Sequence, residues 1–80
     1  MPKSVFTDKY AAFKDLLVEL RKSSGLTQID LAAKLRRPQS FVSKFERGER
    51  RLDVVEFMQI AKALGSKASK LLERLEKSKL

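Results

Sequence analysis

Four polar side chains, Ser40, Ser43, Lys44 and Arg47, recur at i, i+3, i+4 and i+7 in a stretch that also carries Val42 and Phe45 three apart. If that stretch is helical, the polar four share one face and the apolar pair the other. Hydroxyl, ammonium and guanidinium donors on an exposed helix face suit the reading of base edges in the major groove of DNA. Lys44 is central on that face, where its ammonium can reach guanine O6 and N7. Gln39 stands at the start, where its amide can pair with adenine N6 and N7 or bridge to a phosphate. Phe41 has two readings: packed at the edge of a core, or set against a thymine methyl. Arg37 lies just before the stretch. Arg50 and Arg51 lie just after it, in a loop suited to phosphates or simply to solvent.

Other chemistry is excluded by composition. The 80 residues include no Cys and no His. Disulfides, thiolate or imidazole metal sites, and every Cys–His or Ser–His triad are therefore ruled out. No Ser-x-x-Lys arrangement offers a nucleophile. The expectation is a single soluble, cytoplasmic domain, not an enzyme, with no cofactor and no metal. Hydrophobic residues are 42%, enough for a core, and the net charge is +8. That charge is uneven: residues 1–20 are neutral, residues 21–51 carry +6, and residues 52–80 carry +2. A basic central third is the electrostatic footprint of a nucleic-acid partner, or else a solvated face. Position decides between them.

The elements that would position these groups are all helices. Gly25, Gly48 and Gly65 each close an apolar helical period, as C-terminal stops do. Tyr10, Phe13, Leu16, Leu17 and Leu20 form one stripe of a helix over 8–23. Thr27 caps a short helix to Leu35, with Asp30 as the capping-box partner and Ile29, Leu31, Ala32 and Leu35 as its apolar positions. Pro38 interrupts, extends Arg37 and opens a third helix to Arg47. Asp53 caps a fourth, with Val54, Phe57, Ile60, Ala61 and Leu64 on one stripe. Ser66 caps a fifth, with Ala68, Leu71, Leu72 and Leu75. No strand pattern competes. Residues 1–7 are expected as a loose arm and 77–80 as a frayed tail. The fold is all-α: five short helices around one core, with a helix-turn-helix over 27–47.

In register, Gln28, Ala32, Val42 and the Phe45-Glu46-Arg47-Gly48 ending resemble the phage repressor and Cro class of helix-turn-helix proteins, the XRE family with its lambda repressor-like domain. The resemblance spans roughly residues 14–65, and Ala63-Leu64-Gly65 sits where members end their fourth helix. It implies that Gln28 grips a phosphate at a helix N-terminus, next to Thr27. It also implies that Arg21 and Glu46 form a partly buried salt bridge joining the first helix to the recognition helix. Two positions depart from the pattern. Arg36 stands where members often have Gly, and a left-handed residue there costs about 1 kcal/mol. Pro38 replaces the hydroxyl residue that commonly caps the recognition helix.

The function so implied is a sequence-specific, double-stranded-DNA-binding transcriptional regulator, a repressor acting as a homodimer on a palindromic operator with half-sites ~34 Å apart. The alternative is an antitoxin or a restriction–modification controller of the same fold, acting with a partner protein such as a toxin or RNA polymerase. Leu71, Leu72 and Leu75 offer a dimer interface, although such a stripe also serves a core. A third reading sets Lys67, Lys70, Arg74 and Lys77 on an anionic membrane surface; Glu73 and Glu76 oppose it.

Overall fold

A computed structural model describes residues 7–78. Five helices run in the order α1 (Asp8–Ser23), α2 (Gln28–Leu35), α3 (Gln39–Glu46), α4 (Val54–Ala63) and α5 (Ala68–Lys77), with no strand among the described residues. The caps written in the sequence make these boundaries. Thr27 Oγ1 accepts from the Asp30 N–H at 3.0 Å while Asp30 Oδ2 accepts from the Thr27 N–H at 2.9 Å. The bond from the Thr27 N–H, and after it the Thr27 hydroxyl, hold the Asp30 carboxyl below the usual carboxylate range. Asp53 and Glu56 form the same reciprocal box on α4, at 2.7 and 3.0 Å. Gly25, Gly48 and Gly65 stop α1, α3 and α4 at φ of 74°, 79° and 72°.

The stop of α2 uses the same left-handed geometry without glycine. Arg36 sits at φ 56°, ψ 43°, and the Arg37 N–H closes on the Ala32 carbonyl at 3.0 Å. The turn thus keeps the shape that glycine favours, and Arg36 carries its strain. Pro38 occupies the cap of α3 and makes no side-chain cap bond.

The core gathers Leu17 of α1, Leu31 and Ala32 of α2, Phe41, Val42 and Phe45 of α3, Phe57, Ile60, Ala61 and Leu64 of α4, and Leu71 of α5. α2 packs on α3 and α4, while α1 packs on α3 and α5. Phe13 meets Phe57 edge-on at 5.2 Å, tying α1 to α4.

Several expectations need correction. Ile29 and Val54 point outward, not into the core. Each lies in the first turn of its helix, where the chain has just left a loop and the stripe has not yet met a neighbour. Ser66 does not cap α5: Lys67 holds that position without a side-chain bond. α3 ends at Glu46, with Arg47 as its C-cap. Thr7 is not part of a loose arm, because its hydroxyl accepts from the Tyr10 N–H at 3.1 Å and caps α1. The rest of that arm, residues 1–6, lies outside the described residues, as do 79 and 80 of the expected tail. Lys77 is still helical, and Ser78 accepts a bond from Lys9 Nζ at 3.2 Å.

Candidate nucleic-acid interface

α3 is divided into two faces. Phe41, Val42, Phe45 and Glu46 are buried, whereas Gln39, Ser40 and Lys44 are exposed and Ser43 is half-buried. The outward residues are those with donors for base edges. Among the described residues no carboxylate pairs with Lys44, so its ammonium is available. Arg47 is exposed and bonds Glu49 at 3.1 Å, a surface pair of little strength.

The inward face of α3 is anchored by charge as well as by packing. Arg21 Nε donates to Glu46 Oε2 at 2.7 Å and its Nη2 to Oε1 at 3.0 Å, a bidentate pair. Arg21 Nη1 donates to the Leu26 carbonyl at 2.9 Å, and Gln28 Nε2 donates to Glu46 Oε1 at 2.9 Å. The bond to Glu46 raises the Arg21 pKa. One buried carboxylate therefore ties α1, the α1–α2 turn, α2 and α3 together. Gln28, half-buried at the start of α2, spends one amide proton on this network. The Thr27 hydroxyl oxygen accepts the Asp30 N–H at its cap.

A second carboxylate, absent from the sequence reading as a site, sits at the other side of α3. Glu56 of α4 is buried and accepts from Arg50 Nη1 at 2.9 Å and Nη2 at 2.8 Å, and from Arg37 Nη2 at 3.3 Å. Arg50 and then the Asp53 N–H, offset by burial, hold the Glu56 carboxyl at about 2, from 4.5. Both guanidiniums lie against the Phe41 ring, 4.4 and 4.9 Å from its centroid. Phe41 is thus a core residue under two arginines, and the thymine-methyl reading is corrected: its ring is covered. The only sequence signal for Glu56 was the Asp53-x-x-Glu56 box. Arg51 lies 4.3 Å over the Tyr10 ring, and the Tyr10 hydroxyl accepts from the Leu52 N–H at 3.0 Å. The loop after α3 is therefore fixed on α1 and α4.

Of the leucines expected at a dimer interface, Leu71 is buried in its own core and Leu75 is half-buried, while Leu72 is exposed. Burying Leu71 also removes the membrane reading of α5, which needs that leucine in lipid. No helix among the described residues is long and apolar enough to cross a membrane.

A helix-turn-helix with one anchored face and one donor-rich face defines a DNA-binding transcriptional regulator. The helix-turn-helix family HTH_3 matches residues 17–77, and the chain belongs to it. Among solved structures it is similar to an XRE-family like protein from Pseudomonas syringae pv. tomato str. DC3000. The two are 54% identical, with a TM-score of 0.84, covering 86% of this chain and 84% of that one. It is also similar to a mutant of the restriction–modification controller protein C.Esp1396I. Here identity is 28% and the TM-score 0.80, covering 89% of this chain and 90% of that one. No curated protein matches.

Proposed function

We propose that the chain is a homodimeric repressor that reads a palindromic operator with α3 in the major groove. The observation that carries this is the division of α3: Gln39, Ser40 and Lys44 are exposed on a helix whose opposite face is buried. In this reading Lys44, Gln39, Ser40 and Ser43 face base edges. Thr27, Gln28, Arg37, Arg47 and Arg51 border them along the phosphates.

The dimer surface we assign is the start of α4, not the α5 stripe. Val54, Val55 and Met58 are 72%, 62% and 55% exposed on adjoining positions of one helix. Three neighbouring aliphatic side chains left in water mark a contact surface. The occupant is a second copy, because a two-fold axis through this patch places two α3 helices symmetrically. The chain measures 36 × 27 × 22 Å. A palindromic operator would then need half-sites about one turn of duplex, ~34 Å, apart.

Likeness to a restriction–modification controller favours a second reading, in which the regulator serves a neighbouring restriction gene and also activates. Selection of binding sites from random duplexes tests the DNA reading: a palindrome with half-sites one turn apart is expected, and no enrichment would refute it. Light scattering of Met58→Glu and Leu72→Glu tests the interface. Dissociation by the first alone supports α4, and dissociation by the second alone restores α5. A flanking restriction or methyltransferase gene would favour the controller.

A further inference from the structure

We propose that Glu56 limits the sequence-independent grip of this protein on DNA, holding Arg50 off the phosphates and leaving Arg37 to make the contact. The proposal rests on the DNA reading above and deepens it.

Two arginines bracket α3, one before it and one after, and both reach the same buried carboxylate. Their side chains are equally accessible, 39% for Arg37 and 41% for Arg50. Their donors are not equally committed. Arg50 uses Nη1 and Nη2 on the two oxygens of Glu56, and Nη1 again on the Arg51 carbonyl at 3.1 Å. Arg37 makes one long bond, at 3.3 Å, to an oxygen that Arg50 already holds at 2.8 Å. A guanidinium offers five N–H donors, so Arg50 has spent three within the protein and Arg37 one. Arg50 keeps only Nε–H and one Nη2–H. To turn its Nη1 donors to a phosphate it must give up a bidentate charged pair and leave a buried carboxylate short of partners, which is costly. Arg37 gives up little.

Charge counting gives the consequence. Two cations and one carboxylate leave a net +1 at this corner of the molecule. Each phosphate neutralised adds about 0.9 to the salt slope of binding. Removing the Glu56 charge should release Arg50 as a further phosphate ligand, on every sequence alike.

The test compares the parent, Glu56→Gln and the double variant Arg50→Gln/Glu56→Gln on scrambled duplex across a salt series. Active fraction is fixed by stoichiometric titration, and folding is checked by thermal melts at the working temperature. Glu56→Gln keeps the side chain's shape and an oxygen for the Asp53 cap. It is expected to steepen the slope by about one unit and to tighten binding about eightfold at 0.1 M salt. The double variant, with the same net charge at this corner as the parent, is expected to return to the parental slope. A folded Glu56→Gln with an unchanged or shallower slope would overturn the proposal, since Glu56 would then only support the fold or orient Arg50 toward DNA. So would a double variant one unit shallower than the parent, which would make Arg50 a phosphate contact already. A folded parent that binds no duplex at low salt would instead overturn the DNA reading itself, and this role with it.

Discussion

Glu46, the last residue of α3, and Glu56 of α4 are buried to nearly the same degree, 9% and 7% exposed. Each accepts a bidentate arginine. Their surroundings differ. Glu46 meets one arginine and one neutral amide, Gln28, so its cluster carries no net charge. Its arginine is sealed, with a side chain only 10% exposed. Glu56 meets two arginines, both half in water and both lying on Phe41. A sealed, balanced cluster holds a helix in place. An open cluster with one cation in excess also holds it, but leaves charge where a polyanion can compete for it. The same residue pair thus supports the scaffold on one side of α3 and, in the proposed reading, faces DNA on the other.

The largest effect should come from breaking the sealed side. Glu46→Ala strands the Arg21 guanidinium in a buried site and frees Gln28, and should cost about 3 kcal/mol. Thermal and urea unfolding measure it. A loss below about 1 kcal/mol would mean that solvent screens the pair, and the contrast with Glu56 would disappear.

How much of this contrast is legible in the sequence depends on the distance between partners. Helix boundaries were readable because their causes are local. Thr27 and Asp30, or Asp53 and Glu56, are three residues apart, and a glycine marks each of three stops. Glu46 pairs across 25 residues and was legible only through family resemblance. Glu56 pairs across 6 and 19 residues with arginines that composition places merely in a basic segment. From the sequence, only Asp53 is read as the α4 cap, and Glu56 is given no role. The outward direction of Ile29 and Val54 was not readable either, because periodicity gives the stripe but not where along it a neighbour ends. Covering of Phe41 by two cations depends on the same long-range placement.

On the DNA side, the comparison is sharpened by separating readers of sequence from holders of phosphate. Lys44→Ala removes an unpaired ammonium from the outward face of α3. It should cost about 1–3 kcal/mol on the selected operator and relax selectivity at one base pair. Arg51→Ala should instead weaken operator and scrambled duplex by the same factor, with a salt slope lower by about one. Titrations of both duplexes at fixed salt check this. Equal losses for Lys44→Ala on the two duplexes would move sequence reading to another residue of the helix.

A smaller effect should appear in acid, and on the Glu56 side. Its carboxyl titrates at about 2 in the fold against 4.5 when free, so its folded pKa is depressed. Such a group stabilises the fold fully above pH ~4.5 and loses that stabilisation as pH falls toward 2. The half-open setting screens the interaction, leaving of order 1–2 kcal/mol. Urea unfolding of the parent and Glu56→Gln across that range measures it. The difference between them should shrink steadily from pH 5 downward. A difference independent of pH would assign the stabilisation to shape, not to charge.

The smallest effect concerns the turn between α2 and α3. Arg36 holds a left-handed backbone that costs an L-residue about 1–2 kcal/mol. A strained turn persists only where its surroundings fix both ends, and here Glu46 fixes one side of α3 and Glu56 the other. Arg36→Gly removes the strain but gives the unfolded chain more freedom, worth about 0.5–1 kcal/mol. A net gain of about 0.5–1 kcal/mol should remain, with unchanged discrimination between operator and scrambled duplex. Combining Arg36→Gly with Glu46→Ala then locates the constraint. If the sealed cluster is what imposes the turn, releasing α3 from Glu46 lets Arg36 relax, and the glycine gains less than it did alone. An equal gain in both backgrounds would show that the Arg37–Ala32 closure and the Glu56 side impose the turn without help from Glu46.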